Sequence, residues 1–77
     1  MKVKVYSTPA CPYCYVLKDF LREHKIGFED IDVSADQQAA EEMIQKSGQM
    51  GVPVTEIDGE IVVGFDKAKL EKLLNIK

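Results

Sequence analysis

Apolar and polar residues alternate at the start of the chain. Val3 and Val5 flank Lys4, and the run to Tyr6 predicts a first strand. After the loop Ser7-Thr8-Pro9-Ala10 the period lengthens, and Val16, Leu17, Phe20 and Leu21 recur at helical spacing. Pro12 suits the first helical position, because its missing N–H would have no intrahelical partner there. Gly27 is expected to close this helix in the left-handed conformation. Phe28, Ile31 and Val33 then alternate with acids and predict a second strand. Ser34 and Gln37 have the spacing of a capping box, ahead of a helix whose stripe is Ala39, Ala40, Met43 and Ile44 and which stops near Gly48. Val54 to Ile57, the Asp58-Gly59 turn and Ile61 to Val63 read as a hairpin. Asp66 caps a last helix with the apolar face Leu70, Leu73 and Leu74.

The order is βαβ, then α, then ββα. The first unit requires parallel pairing through a right-handed crossover, and the hairpin adds antiparallel strands. This predicts an α/β architecture: a four-stranded mixed sheet with helices on both faces. Seventy-seven residues make one domain, residues 1–77, near the small end of what folds alone.

Ten basic and thirteen acidic residues are scattered along the chain, with a net charge of −3. No basic run or aromatic–basic interleaving points to nucleic acid, and no apolar stretch approaches membrane-spanning length. The charged N-terminus is followed by a strand pattern rather than a signal-peptide core, which predicts a cytoplasmic protein. In a reducing compartment the only two cysteines, Cys11 and Cys14, argue for transient redox use over a structural staple.

Cys11-Pro12-Tyr13-Cys14 falls where the first helix begins. Free N–H groups and the positive end of the helix dipole favour a thiolate at such a place. Cys11 is therefore the expected nucleophile. Cys14, one turn inside, is disfavoured from ionising by burial and is the expected resolving thiol. Cys11 would attack a substrate disulfide, and Cys14 would then attack Cys11 and close a reversible Cys11–Cys14 disulfide. A closed zinc site needs four protein ligands, and this chain has two Cys and the single His24. No metal site is expected within one chain. A metal or iron–sulfur carrier would require two chains, each giving Cys11, with glutathione or another thiol completing the site.

These residues resemble the glutaredoxin family. The likeness is carried by Tyr6 to Cys14, then Gly51-Val52-Pro53-Val54, Ile57-Asp58-Gly59-Glu60 and Gly64-Phe65-Asp66. It spans essentially the whole chain and is nearest to short bacterial and archaeal glutaredoxin-like proteins. It implies a minimal thioredoxin fold, βαβαββα. It implies thiol–disulfide oxidoreductase activity on protein or glutathione mixed disulfides. It also implies a cis Val52-Pro53 peptide facing the cysteines, and a glutathione γ-glutamyl site at Gly64, Phe65 and Asp66. Tyr13 is expected at the substrate surface. No cofactor is expected to be bound permanently; glutathione is the co-substrate implied, and the protein is expected to be a monomer. The chain departs from the family at several places. Thr8 stands where a lysine is usual, Gly51 where Thr is common, Val63 where a first Gly is common, and Gln49 or Met50 where a basic residue is expected. These departures make a thioredoxin-reductase-type flavoenzyme the alternative electron donor.

Among the remaining residues, His24 reads as a helix residue too far from Cys11 to be its base. Met43 reads as core. Glu56 breaks an apolar run and would lie opposite Lys2 or Lys4 if strands one and three pair.

Overall fold

The computed structural model describes residues 2–76. The elements are β1 (Val3–Ser7), α1 (Pro12–Glu23), β2 (Glu29–Asp32), α2 (Gln37–Ser47), β3 (Val54–Ile57), β4 (Glu60–Val63) and α3 (Lys67–Leu74). One sheet runs in the order β2-β1-β3-β4. β1 pairs parallel with β2 and antiparallel with β3, and β3 pairs antiparallel with β4. This is the predicted mixed sheet and the minimal thioredoxin topology.

Alternation along the strands splits the interior in two. Val3, Val5, Ile57 and Val62 face Leu17, Phe20 and Leu21 of α1 and Leu70 and Leu74 of α3. Tyr6 and Val54 face Ala39 and Met43 of α2 on the other side. β1 is central, so its C-terminal end is held from both faces and from both neighbouring strands. That end leads directly into the loop before α1.

Two helix boundaries differ from the sequence expectation. α1 ends at Glu23 with His24 as its C-cap, and Lys25 rather than Gly27 takes the left-handed conformation, at φ 57°. The amides of Lys25 and Ile26 close the turn on the carbonyls of Arg22 and Leu21, so the stop precedes the glycine. The Ser34–Gln37 capping box does not form. Asp36 is the N-cap of α2, its carboxylate accepting from the amide of Ala39. Ser34 instead donates its hydroxyl to Asp32 at 2.6 Å, and its amide bonds the same carboxylate. An aspartate one turn ahead of the helix thus takes the serine away, and the next acid down the chain caps.

The stripe of α1 is also shifted. Val16 is 45% exposed, whereas Lys18 is 8% exposed. Glu56 does lie opposite Lys4 in the ladder, but its carboxylate pairs with Lys46 of α2 at 2.8 Å. The same ammonium is 3.3 Å from the buried Tyr6 hydroxyl, which ties α2 to the sheet.

Candidate active site

Cys11 caps α1. Its backbone is extended, at φ −102° and ψ 110°, and its sulfur accepts a hydrogen bond from the amide of Cys14 at 3.2 Å. Ser, Thr, Asp or Asn usually does this work; here a thiol stands at the position. Pro12 follows at the first helical place, where its ring fits and no N–H is lost. The loop holds the cap from behind: the Cys11 amide donates to Thr8 O at 3.4 Å, and the Tyr15 hydroxyl donates to Pro9 O at 2.6 Å.

The two sulfurs have different surroundings. Cys11 is half-buried, whereas Cys14 is wholly buried. Burial pushes the Cys14 thiol up to about 11, helped by its hydrogen bond to the Cys11 sulfur and by charge there; the Thr8 amide and Lys18 pull the other way. The inner sulfur is thus a protonated thiol near neutrality.

The Val52-Pro53 bond is cis, and the Cys11 thiol faces the Val52 carbonyl at 3.8 Å. Pro53 O in turn accepts from the amide of Gly64 at 2.8 Å, and Gly64 sits at φ 73°, a conformation that a side chain would strain. Cys11, Val52, Pro53 and Gly64 therefore form one continuous chain of contacts. Tyr13, on the first turn of α1 between the two cysteines, is 66% exposed. Phe65 packs its ring edge-on against Phe20, centroids 5.7 Å apart, so much of it belongs to the α1–α3 core. Asp66 caps α3, its carboxylate accepting from the amide of Lys69 at 3.2 Å, and is otherwise exposed.

The loop ahead of Val52 explains two departures from the family pattern. The Gln49 side chain folds back on its own loop, donating to Gly51 O at 2.9 Å and accepting from the Gly51 amide. A Cβ at residue 51 would sit 2.7 Å from Gln49 Oε1, so Gly51 and this folded Gln49 go together. The Gln49 amide is spent on the backbone and does not reach toward the cysteines.

One charged group near the thiols is not marked out by its residue type. Lys18 is buried and pairs with Asp30 of β2 at 2.8 Å, while the Ser7 hydroxyl donates to the same carboxylate at 2.8 Å. Burial alone would raise Asp30, but the Lys18 and Ser7 hydrogen bonds hold its carboxyl below the usual range. The signal was positional: a lysine four residues after Cys14 and next to Leu17 falls on the inward face of α1.

Fold and thiol pair together place the molecule among the thiol–disulfide oxidoreductases. It belongs to the glutaredoxin family, whose model matches residues 3–62. It is similar to an uncharacterised glutaredoxin-like 8.6 kDa protein in the rubredoxin operon of Clostridium pasteurianum, 49% identical over 94% of this chain and 96% of that protein. A crystal structure of a variant of the thioredoxin-like protein BC3987 superimposes with a TM-score of 0.93 at 38% identity, covering 99% of this chain and 97% of that one. The glutaredoxin-like NrdH-redoxin from Escherichia coli, described as having a thioredoxin-like activity profile, gives a TM-score of 0.85 at 25% identity over 95% of both chains.

Proposed function

We propose that the protein is a dithiol redoxin that reduces protein or glutathione mixed disulfides, with Cys11 as nucleophile and Cys14 as resolving thiol. The observation that carries this is the difference between the two sulfurs. One caps a helix, is partly exposed and is approached by backbone groups; the other is enclosed and held protonated. In the first step the Cys11 thiolate attacks a substrate disulfide, forming a Cys11 mixed disulfide and releasing one thiolate. In the second, Cys14 loses its proton to solvent and attacks the Cys11 sulfur. The Cys11–Cys14 bond forms, the bond to substrate breaks, and the substrate leaves as a thiolate. The substrate is reduced by two electrons and the dithiol is oxidised.

The surface around Cys11, Tyr13, Val52 and Pro53 is the proposed substrate contact, with backbone groups of Val52 available to an extended chain. Gly64, Phe65 and Asp66 are the proposed seat of a γ-glutamyl group: an ammonium would meet the Asp66 carboxylate, and a carboxylate would meet the first amides of α3. We propose glutathione as a transient co-substrate with no permanently bound cofactor, a monomeric state and a cytoplasmic location.

A second reading of the electron donor has its own support. Thr8 is uncharged, and Gln49 is folded onto Gly51, so neither supplies a cation for the glycine carboxylate of glutathione. A thioredoxin-reductase-type flavoenzyme would need neither. A coupled assay separates the two. The oxidised protein is supplied with NADPH and either glutathione plus its reductase or a thioredoxin reductase, and NADPH loss is followed. Turnover with glutathione alone supports the first donor, turnover with the flavoenzyme alone the second. Turnover retained by Cys11→Ser would overturn the mechanism.

A further inference from the structure

The Lys18–Asp30 pair has no part in the mechanism as written, yet it is built like a functional group. A lysine is among the side chains least often buried, and desolvating an ammonium is costly unless it is paired. Lys18 is 8% exposed and sits one helical turn beyond Cys14 on the same face of α1. Its ammonium is fixed by Asp30 at 2.8 Å, and Asp30 is fixed by Ser7 Oγ, the residue at the end of β1 that opens the active-site loop. The Lys18 ammonium also lies 5.8 Å from the centre of the Tyr15 ring, whose hydroxyl holds Pro9 in that loop. A hydrocarbon side chain at this position would pack against the same core without any of these partners.

We propose that Lys18 is a positioning residue for ring closure: its enclosed ammonium stabilises the Cys14 thiolate as it forms, and Asp30 sets how much of that charge Cys14 feels. The inference rests on Cys14 being the resolving thiol. The groups acting on Cys14 are Cys11 at the α1 cap, Lys18 on α1 and the Thr8 amide in the loop; from the sheet, Asp30 acts by way of Lys18. Once Cys11 carries substrate as a mixed disulfide, its sulfur no longer opposes a second negative charge. Lys18 is then the charge that favours the thiolate, offset in part by the Asp30 carboxylate paired with it. Cys14 gives its proton to solvent, its electron pair forms the bond to Cys11 sulfur, and the bond to substrate breaks toward the departing thiolate.

The two partners make opposite predictions, which a merely structural ion pair would not. Reduced protein is mixed with the chromogenic reagent dithiobis(nitrobenzoate). The first coloured thiolate reports attack by Cys11, and the second reports ring closure by Cys14. In Lys18→Met the second release should slow by about tenfold at a given pH, the effect of roughly one unit in thiol ionisation, and its pH profile should move to higher pH. Lys18→Arg should restore most of the rate. Asp30→Asn, which leaves the lysine in place and removes its counter-charge, should speed the second release and move the profile to lower pH. An unchanged profile in Lys18→Met, or slowing in both Lys18→Met and Asp30→Asn, overturns the inference. If instead Cys14→Ser still gives the second release, the resolving role itself fails, whatever Lys18 does.

Discussion

The buried thiol makes the reduced protein alkali-sensitive by a calculable amount. Cys14 titrates at about 11 in the folded chain against 9.0 for a free thiol, so the fold prefers the protonated form. Below the unfolded value both states hold the proton and the contribution is fully present. Between the two values the unfolded chain has lost its proton and the folded chain has not, so stability falls with each unit of pH. The shift is about two units, which is about 3 kcal/mol at most. A chain of 77 residues is expected to have roughly 4–12 kcal/mol in all, so the loss is a large share. Phenols and ammonium groups in general ionise in this range and would blur a single curve. Cys14→Ala removes this titration, and its packing change offsets the curve by an amount that does not vary with pH, so the difference in slope provides the comparison. Urea unfolding of both proteins under reducing conditions, from pH 8 to pH 11, should show the wild type losing ground to Cys14→Ala by about 2 kcal/mol, mostly above pH 9. Parallel curves across that range would refute the reasoning and return Cys14 to an ordinary thiol.

Other outcomes follow from the packing. Leu17 is fully enclosed between the sheet and its neighbours, so Leu17→Ala should cost about 2–5 kcal/mol by urea unfolding. Asp36→Ala should cost about 1 kcal/mol through loss of the α2 cap, and more than Ser34→Ala, whose hydroxyl serves only Asp32. Asp30 is held ionised by Lys18 and Ser7, so its contribution is present above the ordinary aspartate range and is lost as pH falls through its lowered value; Asp30→Asn should flatten the acid limb of stability. Gly64→Ala places a side chain at φ 73° and should destabilise by about 1 kcal/mol or more, measured as a lower thermal midpoint.

Much of this architecture is legible in the sequence, because local signals and global topology agree. The Val3/Val5 alternation, the Asp58-Gly59 turn and the Leu70/Leu74 stripe each form where their period places them. The cysteines are legible for the same reason: Pro12 fixes where the helix starts, and the cap position follows. What escapes is competition between near-equal local choices. Gly27 is an obvious stop, but Lys25 adopts the left-handed turn first because the amides that follow find carbonyls at once. Ser34 has capping spacing, but Asp32 takes its hydroxyl and Asp36 is equally able to cap. The partners of Glu56 and Lys18 lie on other elements, and helical or strand periodicity does not say which long side chain reaches across.

The sulfur proposed as the nucleophile is also the atom that holds the start of α1. α2 and α3 are capped by carboxylates, which cannot themselves be oxidised or reduced in thiol exchange. A divalent sulfur tied into an S–S bond is a poor acceptor compared with a thiolate. Under the proposed mechanism each turnover unties and reties the helix end, so oxidation state should be written into the protection of a single amide. Deuterium uptake at the Cys14 N–H should run faster in oxidised than in reduced protein, giving a label-free gauge of how much of the pool is charged with electrons.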